Sequence, residues 1–168
     1  IPMEAIPKHV AHAFLAAEDR NFYSHEGLDY LGILRAALKN LRPGAHLQGA
    51  STISQQIVKT MVLGPERSYS RKMREAVLSF KLENSLSKDD ILHIYLNQIY
   101  FGSGAWGVEQ AAQTYFGISA RDLTVAQAAY LASAPKHPAR YNIKSDAAGA
   151  QKRQHYVLSQ MLAAGWAD

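Results

Sequence analysis

Apolar residues return every three or four positions along most of this chain. Ile6, Val10, Ala13, Phe14 and Ala17 form a first such stripe, starting beside Pro7 and ending at Glu18-Asp19. Leu31, Leu34, Leu38 and Leu41 form a second, with Arg35, Lys39 and Arg42 along its edge and Pro43-Gly44 as its stop. Thr52 and Gln55 have capping-box spacing, and the stripe Ile53, Ile57, Met61 behind them is expected to be buried up to Gly64-Pro65. Ser68 or Ser70 can cap a long helix reaching about Glu83, with Met73, Ala76, Val77 and Phe80 as its apolar set. Ser87 to Asp90 is another capping box and leads into Ile91–Asn97. Val108–Phe116 closes at Gly117, and Thr124 with Gln127 opens an alanine-rich helix ended by Pro135 and Pro138. Ser145 precedes a last helix running to about Ala164. No segment alternates with the period of a strand. The expected class is all-α, with about eight or nine helices joined by short connections. Residues between about 28 and 49 interrupt the compact pattern and are expected to form a small lobe.

Composition narrows the picture only moderately. At 168 residues, 48% hydrophobic and 19% charged, the chain suits a single domain with a sizeable core. It has no cysteine, which excludes disulfides and thiolate metal sites. A net charge of +4 and an isoelectric point near 9.3 point to an anionic partner: nucleic acid, a membrane surface or a phosphorylated substrate. No apolar run is long enough to cross a bilayer. The start at Ile1-Pro2, without methionine, and the end at Asp168 suggest a piece of a longer protein. His9, His12, His25, His46, His93, His137 and His155 have no Glu or Cys at ligand spacing, so a zinc site is not expected. Neither a Walker loop nor a GxGxxG after a strand is present, which disfavours nucleotide binding.

Four polar clusters could carry chemistry. Glu18-Asp19 places two carboxylates at a helix end, either as a solvated pair or as a general base. Gln56 and Lys59 share a helix face that capping does not account for. Arg67, Arg71, Lys72, Arg74 and Lys81 make the most cationic stretch, and Arg71 and Lys72 lie one turn before Glu75. That grouping reads as a salt-bridge ladder or as a phosphate clamp. Tyr100 to Gly107 is a glycine-rich loop whose Tyr100 and Trp106 could stack on a sugar, or simply pack in a tight turn.

Taken together, the clusters resemble the peptidoglycan glycosyltransferase (transglycosylase) domain of class A penicillin-binding proteins and monofunctional glycosyltransferases. The first family motif is matched by Glu18, Asp19, Phe22, His25 and Gly27. The second is matched by Gly49, Ser51, Thr52, Ile53, Gln55, Gln56 and Lys59, with Ser54 for the usual threonine and Thr60 where asparagine is common. Arg71, Lys72 and Glu75 supply the third; Ile91, Leu92, Tyr95, Leu96 and Asn97 the fourth; and Gly104 to Gly117 the fifth.

The resemblance implies a lysozyme-like helical lobe with a smaller hydrophobic, membrane-facing jaw at about 28–49. It also implies an enzyme that polymerises lipid II into β-1,4-linked glycan at the extracytoplasmic face of the bacterial cell membrane. Release of undecaprenyl diphosphate by an inverting single displacement goes with that reaction. On this reading Glu18 is the general base and Glu75 the second carboxylate. Asp19, Gln55, Gln56, Lys59, Arg67, Arg71, Lys72, Asn97 and Tyr100 are the expected substrate contacts. A divalent ion, Mg or Mn, is a candidate helper, and no organic cofactor is expected. Expected partners are lipid II, the growing lipid-linked strand, the membrane surface and a transpeptidase domain in the full-length chain, but not nucleic acid. The rival readings are a muralytic hydrolase with a raised-pKa glutamic acid and a non-catalytic helical module that binds an anionic surface.

Overall fold

The computed structural model describes residues 1–41, 51–64, 68–135 and 146–167. Arg67, the Pro43-Gly44 stop and the stretch 42–49 of the expected jaw lie outside these residues. Among the described residues there are eight α-helices and no strand, as the periodicity requires. They are α1 (Lys8–Glu18), α2 (Tyr30–Asn40), α3 (Ile53–Val58), α4 (Tyr69–Ser85), α5 (Lys88–Gln98), α6 (Gly107–Phe116), α7 (Val125–Ser133) and α8 (Ala147–Ala163). A π-turn over Lys59–Leu63 continues α3, and short 3-10 turns lie at Met3–Ala5, Phe22–Ser24 and Ala120–Asp122.

The chain forms two compact units, residues 1–20 with 92–168 and residues 21–91. In the first, α1, α7 and α8 pack on one another. Their contact surfaces are small: Ala13 and Ala16 on α1, Ala128, Ala129 and Ala132 on α7, Ala150 on α8, all buried. Small side chains let helix axes approach closely. Phe14 fills the centre, edge-on to Tyr95 and Phe101 with ring centroids 6.3 and 5.7 Å away. Capping boxes do form at Thr52 and Thr124, and Ser68 caps α4 by accepting from the Arg71 N–H at 3.1 Å. Asp146, one residue after Ser145, caps α8.

In the second unit α3 packs on α4, and two sequence expectations fail there. Ile53 and Ile57 are buried as expected, but Met61 is 55% exposed. The π-turn is the cause, because its i→i+5 bonding shifts the phase of the helix and carries Met61 off the buried face. On α4 the apolar set Met73, Val77 and Phe80 is exposed, while Glu75 and Ser79 face inward. Leu31, Leu34 and Leu38 of α2 and Leu41 just after it are exposed as well. Residues 28–41 of the expected jaw fall within this unit.

Candidate functional site

In the first unit Glu18 is the last residue of α1, delivered by the apolar stripe that buries the helix. Its side chain is 11% exposed, and Arg153 of α8 lies with Nη2 at 3.6 Å from Oε1. Arg153 is itself held by the Ala17 carbonyl at 3.4 Å and lies over the Tyr156 ring, 4.5 Å from its centroid. Asp19, the residue that caps the end of the helix, is buried. Tyr95 is fully buried nearby; burial first, then the charges of Glu18 and Asp19, push its phenol well above the ordinary value. Tyr95 is therefore held neutral past the pH at which a free phenol ionises. The first unit thus presents a carboxylate pair with one guanidinium and one phenol beside it.

Asn97 and Tyr100 sit on the exit side of α5. The Asn97 amide donates to the carbonyls of Ile1 (3.0 Å) and His93 (2.9 Å). Tyr100 pairs with Trp106, ring centroids 4.8 Å apart, and Trp106 is 61% exposed. Gly107 allows this turn: it has φ +79, and a Cβ there would come within 2.5 Å of the Asn97 carbonyl oxygen. The loop therefore shows both expected features, a tight packed turn and an aromatic face open to solvent.

The second unit gathers the cations. Glu75 is 1% exposed on α4 and is flanked by two of them. Lys72 Nζ bonds Glu75 Oε1 and reaches Ser51 Oγ at 3.2 Å, while Arg71 Nη1 lies 3.7 Å from Glu75 Oε2. Arg71 Nε and Nη1 are buried and have no hydrogen-bond partner among the described residues. Glu75 balances part of the Arg71 charge, and guanidinium donors without a hydrogen-bond partner suit an anionic ligand. On α3, Gln55 is buried and its side chain closes the capping box, accepting from the Thr52 N–H at 3.0 Å. Gln56 is half-buried, and Lys59 is exposed at the start of the π-turn. The structure thus brings together Arg71, Lys72 and Glu75 on α4, with α3 packed alongside. Among the described residues no three His, Asp or Glu side chains gather as metal ligands.

Three further residues escaped sequence reasoning. Arg153 carries no local signal, because its pairing with Glu18 spans most of the chain. Glu83 and Lys88 flank a helix break at a spacing of five, which a helical wheel does not pair, yet Lys88 Nζ is 2.7 Å from Glu83 Oε2. Glu83 also accepts from Ser54 Oγ at 2.5 Å.

Known proteins share this sequence and this architecture. A family model described as Transglycosylase matches residues 1–162. Penicillin-binding protein 1A of Aquifex aeolicus is 48% identical over 166 residues, covering 99% of this chain and 23% of that protein. The protein of the same name from Rickettsia bellii is 45% identical over 169 residues, covering 99% and 21%. That of Neisseria flavescens is 48% identical over 163 residues, covering 97% and 20%. The chain therefore spans about a fifth of the length of these curated relatives. The crystal structure of penicillin-binding protein 1A from Haemophilus influenzae matches all of this chain and 15% of that one, at a TM-score of 0.59 and 24% identity. At that identity the likeness is one of fold, and it agrees with the all-α, lysozyme-like class expected from the motifs.

Proposed function

Because this chain belongs to the transglycosylase family, the glycosyltransferases of peptidoglycan synthesis, we propose that it polymerises lipid II into β-1,4-linked glycan strands. The observation that carries the reading is Arg71 beside Lys72 and Glu75, only 11% exposed, with two nitrogens that have no hydrogen-bond partner among the described residues. A reaction that expels a lipid diphosphate develops negative charge on the leaving oxygen, and preorganised cations lower that barrier most. Hydrolysis of a glycosidic bond releases no phosphate and gives this cluster nothing to do.

In the proposed step Glu18 takes the proton from the acceptor 4-hydroxyl as its oxygen attacks the donor anomeric carbon. The bond from that carbon to the diphosphate breaks, and its electron pair leaves on undecaprenyl diphosphate. One displacement inverts the centre. Arg153 holds the Glu18 carboxylate in place through the 3.6 Å ion pair. Arg71 and Lys72, with Lys59 and Arg67, receive the diphosphate, while Glu75 orients the two cations it touches. Asp19, Gln55, Gln56, Asn97 and Tyr100 are the remaining proposed substrate contacts; a divalent ion, Mg or Mn, would ride on the diphosphate.

The lipid substrate fits the second unit's surface. Leu31, Leu34 and Leu38 on α2, Leu41 just after it, and Met73, Val77 and Phe80 on α4 are all exposed. Exposed basic residues, Arg35, Arg74 and Lys81, stand on the same two helices. An apolar face edged with cations suits docking at an anionic bilayer surface. No described helix is long and apolar enough to cross a membrane. We place the domain at the extracytoplasmic face of the bacterial cell membrane, in a longer chain that also carries a transpeptidase domain.

The test is incubation with labelled lipid II in bilayers, beside Glu18→Gln. Long glycan from the wild type and none from a folded Glu18→Gln is the expected result. Equal turnover in the variant would remove Glu18 as the base, and cleavage of preformed strands would make the protein a hydrolase.

A further inference from the structure

Glu83 stands on α4 two turns beyond Glu75, about 12 Å along the axis at 1.5 Å per residue. It does not reach the cation cluster, yet its side chain is only 6% exposed. A buried carboxylate needs partners, and this one has them from three other parts of the unit. Ser54 Oγ on α3 donates to Oε1 at 2.5 Å, and Lys88 Nζ at the start of α5 lies 2.8 Å from Oε1 and 2.7 Å from Oε2. His25 Nδ1, in the turn after Phe22, lies 4.0 Å from Oε1. The same Lys88 ammonium sits over the buried Phe22 ring, 4.4 Å from its centroid. Replacing a buried ion pair with apolar groups is often neutral for stability, so burial alone does not make this pair a stability element.

We propose that Glu83 is a positioning residue: it fixes α3 and the Phe22–Gly27 turn against α4, and so holds Lys59, Gln55 and Gln56 in register with Arg71, Lys72 and Glu75. Two further ties act on the same parts. Thr52 Oγ1 donates to the Gly27 carbonyl at 2.6 Å, and Ser51 Oγ accepts from Lys72 at 3.2 Å. Gly27 itself, at φ +95, lies so close to α4 that a Cβ would meet the Ser79 carbonyl at 3.1 Å. These ties set distance; the directional bonds of Glu83 set register. The proposal rests on the glycosyl-transfer reading of the α3 and α4 residues.

The test compares wild type, Glu83→Gln and Ser54→Ala by amide hydrogen exchange and by steady-state polymerisation of labelled lipid II. Glu83→Gln is expected to keep its helical circular dichroism and to exchange faster over residues 22–27 and 53–58. Its kcat should fall about 10- to 100-fold, with KM within about threefold, as a misplacement of ~1 Å would produce. A purely structural role would lower Tm and yield while leaving kcat per folded molecule unchanged. Unchanged exchange in those segments, or a kcat within about twofold of an active wild type, overturns the proposal. If the wild type makes no polymer, the glycosyl-transfer reading fails, and the exchange data alone decide the positioning. If Glu83→Gln does not fold, Ser54→Ala, which removes one tie and no charge, is judged by the same criteria with a smaller loss expected.

Discussion

Tyr23 is 57% exposed, yet its hydroxyl is tied down, donating to Asp89 Oδ1 at 2.9 Å. Burial of part of the ring, then the bond and charge of Asp89, push its phenol from 10.0 up to about 12. A raised folded-state value means that the folded protein holds the proton more tightly than the unfolded chain does. The contribution is complete below pH 10 and is lost as pH rises through about 12. Tyr23→Phe should therefore flatten the alkaline limb of a stability-against-pH curve between those values. Its acid limb should not move. Denaturant melts of both proteins across that range would check this. An equally steep loss in the variant would place the alkaline sensitivity elsewhere. The same corner of the unit holds Lys88 and Phe22, so single residues here act through partners that neighbouring sequence does not reveal.

Helices and caps were the part of the structure most open to reading in advance. Thr52, Ser68 and Thr124 cap as their spacing indicates, because a cap is decided within three or four residues. Which face of a helix is buried was less legible. On α4 the apolar stripe lies outward and Glu75 and Ser79 inward, the reverse of the periodicity rule. That rule assumes water on the other side, and the proposed docking of α4 at a bilayer would remove that assumption. The candidate residues could be named because they cluster in motifs, whereas Arg153, Glu83 and Lys88 gave no signal because their partners lie far away or across a helix break. A prediction follows for α2. Replacing Leu34 and Leu38, 58% and 59% exposed, by Asp removes no core contact and should leave thermal stability within a few degrees. Binding to lipid vesicles should drop at least about tenfold, since each apolar side chain contributes roughly 1.5–3 kcal/mol when fully buried. Polymerisation of a detergent-dispersed substrate should be affected less than that of a bilayer-borne one. A cosedimentation assay with no change would remove α2 from the docking surface.

The molecule as a whole carries +4, and part of that excess lies on the helices that bear the exposed apolar side chains. Two forces would then act at a bilayer, and they respond differently to salt. Coulomb attraction between exposed Arg35, Arg74 or Lys81 and anionic headgroups fades as salt rises from about 0.1 M to about 1 M, which shortens the screening length from ~10 Å to ~3 Å. Burial of Leu31, Leu41, Met73 and Val77 in the acyl boundary does not fade, because the apolar contribution scales with area removed from water. Binding to anionic vesicles should thus fall with salt to a plateau, while binding to neutral vesicles should start at that plateau and stay there. Leu34→Asp with Leu38→Asp should lower the plateau and keep the salt-dependent part. Complete loss of binding at high salt would instead mean that the cations alone hold the protein to lipid. The exposed stripes of α2 and α4 would then need another partner.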